Sequence, residues 1–420
     1  MNSYSEMFED IVNYDDEDFV ENPEKLKNIV VSFKDAAGAM DSFLLMHGYE
    51  GNVDDADAKR KFIEKVFLDR GMKPSREIKE FYRKNERLSA DKGIELCFAF
   101  GLSLSETQEF FRKILLIRGL DLHTINGISY YFCLKNNFTF DEASRIISEI
   151  KSVSADDKDI TEIFYTSRIK DDVDGFKSSD ELIAYLNENI SQFKKNNRTA
   201  RKNILFLWKD LISEKNGKNL LEREREILSK YAYENSEDWG SINLEYRADA
   251  ISYQTYLQFF GYDLSKGRKI QKAFNKERTI NDILKDNEFF RIEAEKEFPT
   301  RSSLINIFED KNVKNETYRK WLILLSFYRF WVKEVVNTTG DEGYFEAEKD
   351  DNLRSIEDMN RYLIESGYPE LYAGNPYDWF FMYSNMSADP LSTFRQIFGI
   401  IYENKEAEID RLCGENTGEL

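Results

Sequence analysis

Two stretches of this chain, Cys97–Ile114 and Cys133–Ile150, carry one residue pattern twice. Laid over each other, CFAFGLSLSETQEFFRKI and CLKNNFTFDEASRIISEI align their cysteines, then Gly101 with Asn137, Leu102 with Phe138, Ser103 with Thr139 and Glu106 with Glu142. The apolar positions Phe110/Ile146, Phe111/Ile147 and Ile114/Ile150 follow at helical spacing. In each copy Gly or Asn ends one helix, a short apolar–Ser/Thr–apolar turn follows, and Ser105 or Asp141 is expected to cap the next helix. The pattern commits this part of the chain to helical hairpins. It names no reaction.

Breaker residues extend that inference to the whole molecule. Only six prolines occur in 420 residues, and none lies between Pro74 and Pro299. Pro and Gly both disfavour helix interiors, so this scarcity, with no run of alternating β-branched residues, predicts an all-α fold: a multi-subdomain array of helical hairpins. Hydrophobic residues make up 41% and aromatics 14%, enough for packed cores and against global disorder.

A chain of this length exceeds one ordinary core. Residues 1–24 hold nine acids and no base and read as an acidic, solvated tail. An N-terminal helical domain with the tandem hairpins is expected over 25–155, ending at the polar stretch 152–158. A central helical domain covers 156–297, and a C-terminal helical domain with an aromatic turn covers 298–420. Within these, helices are expected at 24–50, 55–71, 75–87, 160–168, 179–190, 197–214, 219–236, 246–261, 301–309, 315–337 and 354–366, with a last one ending near 405.

Net charge is −19, which repels polyanions at long range, yet residues 191–280 hold 18 Lys and Arg against 12 Asp and Glu. Three cysteines cannot build a disulfide framework, and Cys97 and Cys133 fall on apolar faces as buried thiols. The longest apolar run, Trp321–Phe327, is too short to cross a bilayer, and the chain opens on acids. These features predict a reduced, cytoplasmic protein with no membrane partner.

Residues 73–150 carry a further pattern: Lys73-Pro74-Ser75-Arg76, then Leu88-Ser89-Ala90-Asp91-Lys92, then Gly101-Leu102-Ser103-Leu104-Ser105-Glu106-Thr107, then Asn137–Ala143. This succession resembles the helical C-terminal part of phage-repressor-like helix-turn-helix regulators. A second echo, Thr300-Arg301-Ser302-Ser303-Leu304 with Ile307 and Glu316–Lys320, looks like a repressor's recognition helix followed by its fourth helix. The glycine that such regulators often carry after the recognition helix is replaced here by Glu309-Asp310, and Glu293, Glu295 and Glu297 precede it. The resemblance implies shared helical ancestry and, where function persists, DNA binding; fold kinship is not functional evidence.

Candidate sites are few. His47 and His123 are far apart and read as structural, so no zinc site or histidine acid–base pair is expected. Lys170–Glu181 matches an EF-hand loop only from its third ligand onward, with Lys170 where the first carboxylate belongs, and reads as an acidic turn before a capped helix. Lys194, Lys195, Arg198, Arg201 and Lys202 form one basic cluster, and Lys266, Arg268, Lys269 and Lys272, with Lys276 and Arg278, form another. Such helices can follow a phosphate backbone or dock the protein's own acidic parts. The densest aromatic chemistry is Tyr368, Tyr372, Tyr377, Trp379 and Phe380, spaced by Pro369, Gly374 and Pro376. It reads either as a rigid corner plugging a core or as a partner-binding surface. Neither a phosphate loop nor a Gly-x-Ser-x-Gly elbow is present. No catalytic, cofactor-binding or metal-binding residues are assigned.

The sequence therefore points to a non-catalytic regulatory or adaptor protein with a protein partner. The alternatives are a nucleic-acid-binding regulator using the basic central block and a metal-dependent enzyme whose carboxylates the sequence does not single out.

Overall fold

The computed structural model describes residues 24–84, 87–117, 119–122, 124–150, 166–193, 197–213, 218–220, 223, 287, 290, 292–293, 298–299, 301–311, 313–338, 346–387, 390–391 and 393–394. Among them the fold is all-α, with fifteen α-helices, one π-helical turn, one 3-10 turn and no strand. No helix among the described residues is long and apolar enough to cross a membrane. The chain divides into two compact units, and the domain boundaries expected near 155 and 297 fall outside the described residues.

The first unit, Lys34–Arg198 with Gly367–Pro369, is built from hairpins. Helix α1 (Glu24–Ser32) belongs to the other unit, and α2 (Ala36–Met46) opens this one. The single helix expected over 24–50 is thus broken. Asp35 takes an extended conformation and its carboxylate accepts the Gly38 N–H at 2.8 Å, capping a new helix. Then come α3 (Ala56–Asp69, capped by Asp55), α4 (Arg76–Lys84), α5 (Ala90–Phe100), α6 (Leu104–Glu109), α7 (Ile125–Lys135) and α8 (Phe140–Glu149). A third pair, α9 (Thr166–Asp174) and α10 (Ser179–Glu188), follows.

The duplicated pattern folds as duplicated hairpins, α5–α6 and α7–α8. Gly101 (φ 65°) and Asn137 (φ 56°) both take the left-handed conformation that closes a helix. Leu102 N–H then reaches Cys97 O, and Phe138 N–H reaches Cys133 O. The caps, however, are Ser103 and Thr139 rather than Ser105 and Asp141. Ser103 Oγ accepts the Glu106 N–H and the Glu106 carboxylate accepts the Ser103 N–H. With Glu at the third helical position, that reciprocal pair fixes the start two residues earlier.

The head of α10, where the sequence predicts a capped helix after an acidic turn, carries the same reciprocal pair one residue earlier, at Ser178. Ser178 and Glu181 close the same box at the head of α10, one residue further from the apolar Phe176 than in the other turns. Thr107, Ala143 and Leu182, each one residue after the box glutamate position, are all completely buried. One continuous core runs through the unit, including Phe43, Phe67, Phe111, Phe132, Ile146 and Leu186. Cys97 and Cys133 lie in it as expected, and burial pushes the Cys133 thiol up to about 12.

The second unit comprises Met1–Phe33, Thr199–Ser366 and Glu370–Leu420. Its described helices are α1, α11 (Arg198–Ile212, whose first residue falls in the other unit), α12 (Arg301–Phe308), α13 (Asn315–Thr338), α14 (Lys349–Glu365) and α15 (Pro376–Asn385). Helix α13 is central, packing on α12, α14 and α15, with Trp321, Phe327 and Trp331 fully buried. Each buried indole finds an acceptor: Trp321 Nε1 donates to Ser303 Oγ, Trp331 to Asn385 Oδ1 and Trp379 to Leu26 O, all within 2.9 Å. The last bond shows why α1 belongs here despite its place in the chain.

Candidate functional site

Three places gather polar or aromatic chemistry. The first is the turn leading into α15. Tyr368, Tyr372, Tyr377, Trp379 and Phe380 are all buried, with Trp379 and Phe380 at 0% exposure. A ring with no accessible area cannot anchor a partner, so these residues are core plugs and not a surface. Phe298 meets Tyr377 edge-on at 5.0 Å, and Phe290 meets Trp379 at 5.1 Å. Tyr368 belongs to the hairpin unit, where its hydroxyl donates to Asn197 Oδ1 at 2.7 Å.

What organises the turn is a buried ion pair. Arg319 donates from Nη1 to Asp378 Oδ1 at 2.6 Å and from Nη2 to Asp378 Oδ2 at 2.7 Å. Asp378 Oδ2 also accepts the Tyr372 N–H at 2.9 Å, and Arg319 Nη2 donates to Glu370 O at 3.2 Å. Neither residue stood out in the sequence, because a charge on a helix ordinarily reads as a solvated face.

The second place is the basic helix α11, which the structure divides. Arg201 turns inward: its guanidinium donates to Ile307 O at 2.8 Å and Phe308 O at 2.9 Å, and lies 3.4 Å from Asp310. Those carbonyls end α12 and lack partners within the helix, so Arg201 acts as a C-terminal cap. Asp310 itself adopts φ 56°, the left-handed conformation that closes a helix. Lys202 points outward and is exposed, as are Phe206 at 52%, Lys209 and Ile212. Neither Arg198 nor Lys202 makes an ion pair among the described residues. Lys194, Lys195, Lys266, Arg268, Lys269 and Lys272, with Lys276 and Arg278, lie outside the described residues.

One turn on from Phe206 along α11, Asp210 accepts hydrogen bonds from Arg329 and Lys333 of α13, and the Arg329 guanidinium lies 5.5 Å from the Phe206 ring. Burial works against its ionisation, but those two cations outweigh it and hold its pKa below the ordinary carboxylate value. This too is internal structure.

The third place is a cavity of about 480 Å³ in the hairpin unit, at α4 and the segment after it. Four cations line it, Arg76, Arg83, Lys84 and Arg87, together with two carboxylates, Glu77 and Glu80. Phe81 and Leu88 border it from within the core, at 3% and 4% exposure. Glu80 is the hub, 2.8 Å from Arg76, 3.1 Å from Arg83 and 3.8 Å from Lys84. Hydrogen bonding to Arg76 holds its carboxyl below the usual range. Arg87 Nη1 donates to Ile114 O at 2.7 Å, at the end of the π-helical turn Phe110–Leu115. The sequence does contain a signal: Arg76, Glu80, Arg83 or Lys84, and Arg87 recur at three- and four-residue steps, one helical face.

The remaining candidates resolve simply. His47 packs against Phe43 at 4.3 Å and burial lowers its pKa, while His123 lies outside the described residues. The EF-hand-like stretch is helical where a loop would be needed: Asp171–Asp174 lie on α9, Asp174 pairs with Lys135 at 2.6 Å, and Glu181 is a capping residue. Among the described residues no three His, Cys, Asp or Glu side chains come together as a metal site would require. No protein-family model matches this chain, and neither the curated proteins nor the solved structures yield a match.

Proposed function

We propose that this chain is a non-catalytic regulatory or adaptor protein that works through protein–protein contacts, using the outer face of its hairpin array. One observation carries the reading: three hairpins joined in series present their second helices, α8 and α10 among them, with acidic outer faces. Tyr131 and Lys135 of α7 both bind Asp174 of α9, and Arg145 of α8 lies 3.5 Å from Asp180 of α10. Asp141, Glu149, Asp180 and Glu188 are exposed along those helices. Arrays of stacked helix pairs offer extended surfaces for a partner segment, and a partner with basic residues complements this one.

Affinity purification from the native cell, with and without nuclease, tests the reading. A partner retained after nuclease treatment, and lost at least about tenfold on Asp141→Lys with Glu188→Lys, supports it, since charge reversal at an interface costs on the order of a kcal/mol or more. Retention that survives the reversal, or that vanishes with nuclease, sinks it.

A second reading has its own observation. Lys202 and Lys209 flank exposed Phe206 on α11, an arrangement in which phosphates meet lysines and a base stacks on the ring. The resemblance to repressor-like regulators belongs with this reading. Binding to single-stranded or duplex DNA that strengthens at low salt and fails on Lys202→Glu with Lys209→Glu supports it. Absence of binding at low salt removes it.

A further inference from the structure

The cavity at α4 is not used by either reading, and its charge runs against the net charge of the chain. The molecule carries net −19, yet four cations face two carboxylates around this one space. Glu80 is shared among Arg76, Arg83 and Lys84, so one negative charge holds three positive ones in position. Arg87 is fixed from behind by its bond to Ile114 O. Cations gathered this way repel one another, and a multiply charged anion entering the space relieves that repulsion more than water does. The volume, about 480 Å³, falls in the range of small-molecule sites. Phe81 and Leu88 border it but are buried, at 3% and 4% exposure, so a ligand's contacts are with the charged groups.

We propose that this cavity binds a small phosphorylated molecule of at least two negative charges. Its phosphates lie among Arg76, Arg83, Lys84 and Arg87. The site belongs to the hairpin unit alone, so its fate is independent of any partner on the outer faces.

Calorimetric titration of the full chain at low ionic strength, with inorganic pyrophosphate and ATP as separate probes, tests it. Both are expected to bind, since each presents at least two negative charges to the same four cations. Arg83→Glu with Lys84→Glu, at two largely solvent-facing side chains, is expected to weaken both at least tenfold. Lys61→Glu with Lys65→Glu, two exposed lysines of α3 outside the cavity lining, is expected to change neither. No binding of either probe overturns the proposal, as does binding that survives the Arg83/Lys84 reversal or is lost equally in the α3 reversal. Circular dichroism of each variant separates loss of binding from loss of fold.

Discussion

The hairpin turns of the first unit and the turn into α15 in the second both reverse the chain, by opposite means. Each hairpin turn is closed by its own neighbours. Ser103 with Glu106 and Ser178 with Glu181 exchange bonds three residues apart, and Thr139 accepts the Glu142 N–H the same way. The turn before α15 is instead closed from a distance. Arg319 reaches Asp378 across 59 residues of sequence, and Trp379 reaches Leu26 across 353. Local closure spreads stability over many small contributions that tolerate loss one at a time. Distant closure concentrates it in a buried charge pair that is costly to break from one side.

The largest expected effect tests that concentration. Asp378→Asn or Arg319→Met should each destabilise the second unit by about 3–5 kcal/mol in urea denaturation, because one buried charge is left without its counterpart. Replacing both by apolar residues together should recover much of the loss. A single substitution that costs under about 1 kcal/mol would mean the turn is held mainly by its rings.

The hairpin caps should be milder. Ser103→Ala, Thr139→Ala and Ser178→Ala should each cost about 1 kcal/mol. Combined, the three should sum, since they lie on separate turns. A cost well above the sum would show the turns to be coupled and narrow the contrast between the units.

Acid titration separates the two modes further. The folded pKa of Asp210 is below its unfolded value, so its contribution is complete above about pH 4 and fades as the pH falls through the folded value. Asp210→Asn should lower stability at neutral pH and flatten the acid limb of the profile. An unchanged limb would remove Asp210 as a contributor.

The smallest effect compares the two copies of the repeat directly. Asn137→Gly should stabilise by a few tenths of a kcal/mol, up to about 1, because glycine enters the left-handed conformation freely. Gly101→Ala should destabilise by about 1 kcal/mol at φ 65°. Paired thermal melts would read both, and the same sign for the two would break the equivalence of the copies.

Much of the first unit was legible in the sequence because its signals are local. Gly101, Asn137 and the Ser/Thr-x-x-Glu spacing are each read within a few residues, and even the misplaced caps were two positions away. The aromatic turn was harder. Tyr377, Trp379 and Phe380 look alike as core or as surface until the rings that cover them, such as Phe290 and Phe298, are placed beside them. Arg201 is the sharpest case. Its sequence neighbours made it one of a basic cluster, while its actual partners are carbonyls more than a hundred residues away. The cavity cations were overlooked because a helix with Arg76, Glu80, Arg83 and Lys84 ordinarily pairs its charges on a flat solvated face.

The amino-acid order alone settled that this protein is helical, which segments form the tandem hairpins, and that Cys97 and Cys133 are core residues. Periodicity and capping act over one or two turns of chain, so no folding partner is needed to read them. Which charges are spent inside and which remain outside was decided only in three dimensions. That choice depends on what desolvates each group: Asp378 is worth burying only with Arg319 beside it, and Lys202 stays in water because nothing covers it.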